Sequence, residues 1–570
     1  MRKTLIAVAV IAAGAAVFYK FGMKSESALG VLEYVPADTV LFSGQLEPID
    51  LATYIKASGF SMTQTQQVFE ELKTKLASAE TPEAKFAAHV INANVEAMKT
   101  PESVASHFGL KAQTRSLVYM VGVAPVMKME VADEAAFFKV LDDAEKASGF
   151  SHTAQQLNEL KYRQYHFVLE GIEFDLLVSV NAGWGTYAVT SSKLAPEHLA
   201  IILGAQKPEQ SLASTNYIDT IAKKYQLNQG MIGFFSFEQL AKVLTSKDGN
   251  RLAKDLNTLF GAEMDANPDL AVWRTPACAT DVAAIAKSWP GVYFDGSYAV
   301  AATDITMNGK MVVPTENKDT VAALSAMRGF IPTAVSGNNS AIMHWGLGFD
   351  VGQLASSAGK LWNTFTQTKY TCEPLVKMQE GATANNPLAA LAMTGMANGV
   401  QGMSVTLNSF EMDTATGQPK SLDALVTVSA TNARAVIESL KAMVPDLASI
   451  PLPKDGEAQD LSAMLPPGAM PDLKPMLQLN NSHVAISVGD KGKTQADAVM
   501  KEATSKNGLM SMGIDYKAFF GSVLAAMPVD SPEQQKEFEQ LQKIDMKLNM
   551  TMDVNDSGLV FSTQMEAPKK

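Results

Sequence analysis

The hydrophobic and polar positions of the chain form a pattern that returns four times. In residues 41–55 an apolar, strand-like run ends at the acidic residue Asp50 and passes directly into an amphipathic helical pattern. The same strand-to-helix pattern recurs at 232–244, 342–354 and 510–524. We interpret this pattern as a building unit around which the rest of the chain is organised.

The four units align at the residue where the strand ends, which is Asp50, Ser236, Asp350 or Asp515. A side-chain oxygen at this position accepts a hydrogen bond from an unpaired backbone N–H in the first turn of the helix. A single acid at a strand end also suits catalysis. Four equivalent positions, one of them a serine, instead favour helix N-caps, and the sequence predicts four of them.

The order of elements in the first part of the chain returns in the second part. A strand, a capped helix, a loop and a strand pair at 126–203 match the order at 425–503. We interpret this order as an internal duplication. Each half is predicted to hold two strand-helix units and an antiparallel sheet packed against helices, which is an α+β fold. The predicted division is 1–27 for an N-terminal segment, 28–318 for the first half and 319–570 for the second half.

Residues 1–27 have the composition of an export signal. Arg2 and Lys3 precede an uncharged apolar run at 5–19. The run is shorter than the roughly 20 residues of an ordinary spanning helix, which suits a cleaved signal peptide or a short uncleaved anchor. Both interpretations place the body in the periplasm, either anchored at the inner membrane or released. A cytosolic protein with a buried first helix is the remaining alternative.

Charge and cysteine content indicate which partners, crosslinks and metal sites suit the chain. The net charge of −12, without a basic stripe, argues against a nucleic-acid partner. Cys278 and Cys372 are the only cysteines, and an isolated pair in an oxidising compartment predicts one disulfide. The alternative is two separate reduced thiols in the core. One cysteine per segment, without a nearby histidine pair, argues against a zinc site.

The search for catalytic and ligand-binding motifs finds none that is complete. His344 and His483 lie in apolar strands, where a hydrogen-bonded structural histidine is the simpler interpretation. The loop at 488–494 follows a strand and opens a helix, but Ser487 stands where a phosphate-binding loop requires glycine. We interpret that loop as a polar turn. The sequence therefore predicts no catalytic, cofactor-binding or metal-binding residue and no cofactor.

Methionine is abundant, with 30 residues in the chain. Several fall in or beside predicted strands: Met120, Met127, Met129, Met307, Met311, Met403, Met546, Met550 and Met552. Methionine fills irregular apolar space and suits adaptable binding surfaces. The pattern indicates either a lipid or apolar peptide held on a sheet beneath helices, or ordinary core packing. A concave apolar pocket would favour the first of these.

Three short motifs stand out in the first half, at 35–39 (Val-Pro-Ala-Asp-Thr), 129–133 (Met-Glu-Val-Ala-Asp) and 185–191 (Gly-Thr-Tyr-Ala-Val-Thr-Ser). With them, residues 31–205 resemble a family of exported bacterial envelope proteins known only as a domain of unknown function. The resemblance implies an exported protein of this fold and implies no catalytic residues.

These observations predict a non-enzymatic envelope protein with a binding or scaffolding role. Its N-terminal segment would meet the inner membrane, and its partner would be a lipid or an envelope protein. One alternative is a hydrolase whose nucleophile, histidine and acid meet only in the folded chain. Another is a structural spacer, which would show neither a pocket nor an apolar patch.

Overall fold

A computed structural model describes most of the chain. The described residues are 29–57, 81–169, 172–194, 196–301, 304–337, 340–386, 388, 397–413, 418–443, 450–464, 473–524, 531–542 and 544–568. The structure is 41% helix and 34% strand and contains a large antiparallel sheet, which confirms the α+β fold. The predicted export signal lies outside the described residues. Within those ranges, no helix has the length and apolar character needed to cross a membrane.

The chain divides into two compact units. The first contains the described residues up to Met311 together with Thr371–Pro374, and the second contains Val312–Tyr370 and Leu375–Pro568. The main division falls close to the predicted boundary at 318/319. The return of Thr371–Pro374 to the first unit has no counterpart in the sequence prediction.

The strands of the first unit form an antiparallel sheet. They are β1 (Leu41–Asp50), β2 (Gln113–Val121), β3 (Ala124–Glu130), β4 (Thr153–Leu157), β5 (Leu160–Leu169), β6 (Ile172–Asn181), β7 (Trp184–Thr190), β8 (Met231–Ser236), β9 (Gly291–Val300) and β10 (Asp304–Pro314), the last of which ends in the second unit. Their order across the sheet is 4-5-6-7-3-2-1-8-9-10. The two strands that carry the predicted caps, β1 and β8, are therefore neighbours.

Helices connect these strands. They are Leu29–Leu32, Leu51–Ala57, Pro82–Met98, Pro101–His107, Glu134–Ser148, Pro196–Leu203, Tyr217–Tyr225, Phe237–Thr245, Arg251–Ala266, Pro268–Ala271 and Pro276–Ser288, with a 3-10 turn at Val272–Arg274.

The second unit also has an antiparallel sheet. Its strands are β11 (Met343–Leu347), β12 (Val400–Asp413), β13 (Gln418–Ala430), β14 (Ala458–Asp460), β15 (Met476–Leu479), β16 (His483–Val488), β17 (Met510–Asp515), β18 (Lys547–Asn555) and β19 (Gly558–Pro568). Their order is 14-15-16-13-12-11-17-18-19. Its helices are Lys318–Ala326, Thr333–Ser336, Val351–Thr366, Glu373–Ala384 (which begins in the first unit), Ala433–Met443, Gly489–Val499, Tyr516–Leu524 and Pro532–Leu541, with a 3-10 turn at Ser462–Met464.

Three of the four predicted N-caps make the capping hydrogen bond. In each, a side-chain oxygen accepts from the backbone N–H three residues later, so one unpaired donor of the first turn is satisfied. The pairs are Asp50 with Thr53 at 2.8 Å, Ser236 with Gln239 at 3.2 Å and Asp515 with Ala518 at 3.0 Å.

The prediction of a capping side chain is wrong for Asp350. This residue occupies the N-cap position, but its side chain makes no capping hydrogen bond to the described helix that it precedes. The Gln353 N–H, which such a cap would use, donates instead to the backbone carbonyl of Asp350 at 3.0 Å. The carboxylate lies 3.2 Å from the Lys506 ammonium and forms an ion pair with it.

Asp515 and Asp350 form a matched pair for measuring how much a capping hydrogen bond contributes to the free energy of unfolding. Both lie in the second unit, and both carboxylates have a lysine within 4 Å, but only Asp515 caps. We expect Asp515→Ala to lower the free energy of unfolding by about 1 kcal/mol. We expect Asp350→Ala to lower it by less than about 0.5 kcal/mol, because a partly exposed ion pair contributes little. Equal shifts of the two variants in urea unfolding would contradict the assignment.

Candidate functional site

The two faces of the second sheet differ in chemistry. Side chains alternate along each strand, and residues paired across neighbouring strands share a face. In β11, His344 and Gly346 therefore point to one face, and Met343, Trp345 and Leu347 to the other. The second face, here called the apolar face, continues through Met403, Val405 and Leu407 of β12, Val426 and Val428 of β13, Val484 and Ile486 of β16, Met510 and Met512 of β17, and Met550 and Met552 of β18.

Part of the apolar face is exposed. Met403, Val426 and Ile486 are 45%, 42% and 39% exposed, and we call them the open patch. They are neighbours, because Val426 pairs with Ile486 and Met403 pairs with Val428, two residues from Val426. Isolated apolar side chains are common on surfaces, whereas a cluster on the middle strands of a sheet indicates an interaction surface.

Helices cover the neighbouring parts of the same face. Val436 of the helix Ala433–Met443 packs in one cluster with Leu479 and Val484. Leu361 of the helix Val351–Thr366 packs in another cluster with Met552 of β18. The apolar face is therefore a surface that helices cover elsewhere in the unit.

The opposite face is polar and buried. Its members are at most 3% exposed: His344, Ser404, Thr406, Thr427, Ser429, His483, Ser487 and Ser511. The hydroxyls of Ser404 and Thr427 lie 2.5 Å apart, which satisfies this pair across β12 and β13. Two helices cover this face. Val335 of the helix Thr333–Ser336 and Ala496 of the helix Gly489–Val499 pack against Leu425. The sheet thus buries its polar side and leaves apolar side chains in contact with solvent.

Both histidines of this face lie in its interior, as the sequence predicted. The His483 ring has both nitrogens occupied, with Nδ1 2.9 Å from Ser429 Oγ and Nε2 2.9 Å from the Glu502 carbonyl. Burial lowers the pKa of His483 below its ordinary value, which keeps the ring neutral. His344 Nε2 lies 3.4 Å from Ser511 Oγ, and both residues are buried. These histidines stabilise the core.

Two histidine–carboxylate pairs lie in the first unit. His198 Nδ1 is 2.8 Å from Asp255 Oδ1, and His166 Nδ1 is 2.9 Å from Asp175 Oδ1. The second oxygen of Asp255 accepts the Val123 N–H at 3.0 Å, so this acid holds the turn between β2 and β3. Among the described residues, neither pair is hydrogen-bonded to a serine or threonine hydroxyl.

The backbone N–H groups of Lys491 and Gly492 are occupied by a carboxylate of the protein itself. Asp423 accepts the backbone N–H groups of Lys491 at 3.0 Å and Gly492 at 2.8 Å. These donors of the helix Gly489–Val499 are the ones that a bound phosphate would require. The interpretation of this stretch as a polar turn is wrong, because residues 489–494 form the first turns of the helix, which begins earlier than the sequence indicated.

The motif residues behind the family resemblance have structural roles. Asp38 accepts the backbone N–H and the guanidinium of Arg251, each at 2.9 Å. Thr39 Oγ1 accepts the Met120 N–H at 3.1 Å, which ties the approach to β1 to strand β2. Asp133 caps the helix Glu134–Ser148. These contacts give Asp38, Thr39 and Asp133 a role in folding.

Cys278 and Cys372 form the predicted disulfide, with a sulfur–sulfur distance of 2.04 Å. Both half-cystines are fully buried. The neighbouring Asp281 carboxylate accepts the backbone N–H groups of Thr371 at 2.6 Å and Cys372 at 2.8 Å. These bonds lower the pKa of Asp281 despite the opposing effect of desolvation. The bond and the carboxylate together hold the segment Thr371–Pro374 in the first unit.

The methionines are distributed among the core, the apolar face and other exposed positions such as Met378 and Met464. Met129, Met307 and Met546 are at most 5% exposed, which is ordinary core packing. Met403 is exposed on the open patch.

Two cavities are well defined by the described residues. One is a polar cleft of about 690 Å³ in the first unit, and the other is too small for a ligand at about 10 Å³. Neither is the concave apolar pocket that a lipid would favour.

A buried lysine in the first unit was missed from the sequence. Lys128 of β3 is 5% exposed, and its ammonium donates to Thr186 Oγ1 at 2.8 Å. No carboxylate among the described residues forms an ion pair with it. Burial lowers the pKa of Lys128 to about 8. The available signal was the strand alternation, which places Lys128 on the same face as Val126.

Metal binding and similarity to known proteins add no further assignment. Across the described ranges, no group of three or more His, Cys, Asp or Glu side chains is arranged to hold a metal ion. Comparison with protein-family models, curated proteins and solved structures finds no match to this chain. The resemblance of residues 31–205 to exported envelope proteins therefore stays a prediction.

Proposed function

We propose that the protein is a non-enzymatic binding protein of the cell envelope that receives an apolar helix of a partner protein on the open patch. The observation that carries this proposal is the exposure of Met403, Val426 and Ile486 on the middle strands of a sheet whose polar side is buried. Burial of such apolar surface against a partner lowers the free energy, because it removes the surface from water.

A helix suits the patch because a sheet face is normally buried by helices or by another sheet. The same face is covered by amphipathic helices elsewhere in the unit, through residues such as Val436 and Leu361. Methionine at the patch favours a partner of variable shape, since its unbranched side chain adapts its packing. A lipid chain suits the patch less well, because ligand pockets enclose roughly 70–90% of a small molecule.

We further propose that the chain is exported and meets the inner membrane through residues 1–27, with its body in the periplasm. The apolar run after Arg2 and Lys3 supports this location. The disulfide between Cys278 and Cys372 supports it independently, because structural disulfides persist mainly in oxidising compartments. The net charge of −12 favours protein partners of this body over nucleic acid.

We also propose that the two units arose by duplication. The strand order 5-6-7-3-2-1-8-9-10 corresponds position by position to 14-15-16-13-12-11-17-18-19, and β4 alone has no counterpart. In each unit the two strands that lead into the N-cap positions pair with each other, β1 with β8 and β11 with β17. An antiparallel order of this length is more simply explained by descent than by chance.

Site-specific photo-crosslinking in cells tests the binding proposal. The photoreactive residue p-benzoylphenylalanine replaces Val426 in the full-length chain, and a second chain carries it at Thr551, which is exposed on the opposite face of β18. We expect a protein adduct from position 426 and none from position 551. We also expect Ile486→Lys to reduce the adduct at least about tenfold, because one buried charge costs more than 1.4 kcal/mol.

The outcomes separate the partner classes. A protein adduct at 426 that depends on Ile486 supports the proposal. A lipid adduct at 426, with lipid found by mass spectrometry after gentle extraction, would replace the protein partner by a lipid. Equal adducts at 426 and 551, or none at 426, would contradict a specific binding surface. Circular dichroism of each variant checks that the fold is retained.

A further inference from the structure

A polar cleft of about 690 Å³ lies in the first unit. One wall is the end of the helix Phe237–Thr245 and the loop after it, and another is the helix Arg251–Ala266. The cleft is lined by Thr245, Ser246, Lys247, Asp248, Lys254, Asn257, Thr258 and Arg274. Its volume lies within the range of roughly 300–1,000 Å³ that is typical of small-molecule sites.

The charge of the lining is positive in an acidic protein. Lys247, Lys254 and Arg274 contribute three positive charges, against one negative charge from Asp248. The chain as a whole carries −12. Asp248 is also engaged within its own loop, since its Oδ1 accepts the Ser246 hydroxyl at 2.8 Å. A local positive charge in an acidic molecule concentrates anions at that place.

A carboxylate of the protein already bridges two of the three cations. Asp265 Oδ2 lies 2.6 Å from Lys247 Nζ, and its Oδ1 lies 3.4 Å from Arg274 NH1. The hydrogen bond from Lys247 lowers the pKa of Asp265, which keeps the carboxylate charged. The Arg274 side chain is only 12% exposed, so its guanidinium is held in place at the edge of the cleft. The arrangement shows that Lys247 and Arg274 converge on one oxyanion.

Lys254 has no such partner in the part of the chain that the structure describes. It lies on the exposed side of the helix Arg251–Ala266, and no described carboxylate forms an ion pair with its ammonium. Thr258 is one turn further along the same helix and also lines the cleft. The cleft therefore combines one unpaired cation with two cations whose internal partner, Asp265, is half exposed and can be displaced.

We propose that this cleft binds a phosphate group, carried either by a soluble phosphate ester or by a lipid head group. Arginine binds phosphate through its planar fork, and lysine binds it as a point charge. Lys254 would contact the phosphate directly, and Arg274 and Lys247 would complete the contacts as the phosphate competes with Asp265.

Binding of inorganic pyrophosphate to the full-length protein, measured by calorimetry at low ionic strength, tests this site. We expect Lys254→Gln to weaken binding about tenfold, the value of one charge-assisted hydrogen bond. We expect Asp265→Asn to tighten binding several-fold, because the variant removes the competing carboxylate. Lys193→Gln removes an exposed lysine that does not line the cleft and is expected to leave the affinity unchanged.

Tighter binding by Asp265→Asn is the informative result, because loss of a structural ion pair would not raise affinity. Absence of saturable pyrophosphate binding overturns the proposal, and so does equal binding by wild type and Lys254→Gln. Flotation with phosphatidylglycerol vesicles and with phosphatidylcholine vesicles identifies the source of the phosphate. Vesicle binding that Lys254→Gln reduces assigns a lipid head group, and pyrophosphate binding without this difference assigns a soluble ester.

Discussion

Replacing Lys128 by methionine is expected to make the protein more stable at pH 7, by about 2 kcal/mol. The ammonium is buried in β3 with one neutral hydrogen-bond partner, Thr186. Folding therefore moves a charge out of water, and no carboxylate of the described residues forms an ion pair with it. Methionine has a similar length and no charge. The gain is reduced by the lost bond to Thr186, which contributes about 1 kcal/mol.

The free energy of unfolding is also expected to depend on pH, and the lowered pKa of Lys128 determines the direction of this dependence. The folded protein releases the Lys128 proton near pH 8, whereas an unfolded lysine keeps it to about pH 10.4. Between these values the unfolded chain binds more protons, so the free energy of unfolding rises with pH. A pKa difference of this size corresponds to about 3 kcal/mol over the whole window. The penalty of the charged lysine is full below pH 8 and fades above it.

Urea unfolding of wild type and Lys128→Met at pH 7 and pH 9.5 measures both effects. We expect the advantage of the variant to shrink at the higher pH, and Lys128→Arg to be less stable than wild type at both. The buried tyrosines Tyr119 and Tyr187 have raised pKa values and affect wild type and variants alike. An advantage that does not change with pH would show that Lys128 is neutral or solvated in the folded protein.

Removing the disulfide is expected to cause the largest loss of stability. The bond joins Cys278 and Cys372, which are 94 residues apart. In the loop-entropy model a crosslink over such a span stabilises by about 4–5 kcal/mol, because it restricts the unfolded chain. The double variant Cys278→Ala and Cys372→Ala should therefore unfold at much lower urea than wild type. Hydrogen exchange should assign the loss to the first unit, which contains both cysteines.

Chemical reduction of the wild type is the matched control for this variant. Reduction breaks the bond while leaving every other atom of the side chains in place. Similar losses for reduced wild type and for the double alanine variant would attribute the effect to the crosslink. A loss confined to the alanine variant would attribute it to packing of the buried sulfurs. Alanine is preferred to serine, because a serine hydroxyl would be buried at a site that is fully enclosed.

Local features of the fold were predictable because their causes are local. The strand-to-helix junctions at Asp50, Ser236 and Asp515 combine an apolar run with a capping side chain, and a few neighbouring residues decide both. Asp350 has the same local pattern but differs in its tertiary partner, Lys506. The partner is distant in sequence, so the failure of this cap could not be anticipated.

The candidate site was harder to predict because alternation does not reveal which face is buried. In β12, Met403, Val405 and Leu407 alternate with Ser404 and Thr406. An ordinary interpretation buries the apolar set and exposes the hydroxyls. The structure buries the hydroxyls beneath the helices Thr333–Ser336 and Gly489–Val499 and leaves Met403 exposed. Both helices are distant from β12 in sequence, so the pattern within β12 does not reveal which face they cover.

The Cys278–Cys372 bond also imposes an order of events on synthesis. The first cysteine is made well before its partner, and the intervening chain includes the segment Val312–Tyr370 of the second unit. Until Cys372 emerges, Cys278 remains a thiol that an oxidant or a foreign thiol can capture. A fragment cut at the boundary 318/319 would carry this orphan thiol permanently. The first unit therefore cannot form its disulfide when the main part of its own sequence has been synthesised. It must wait for the segment Thr371–Pro374, which is synthesised after part of the second unit.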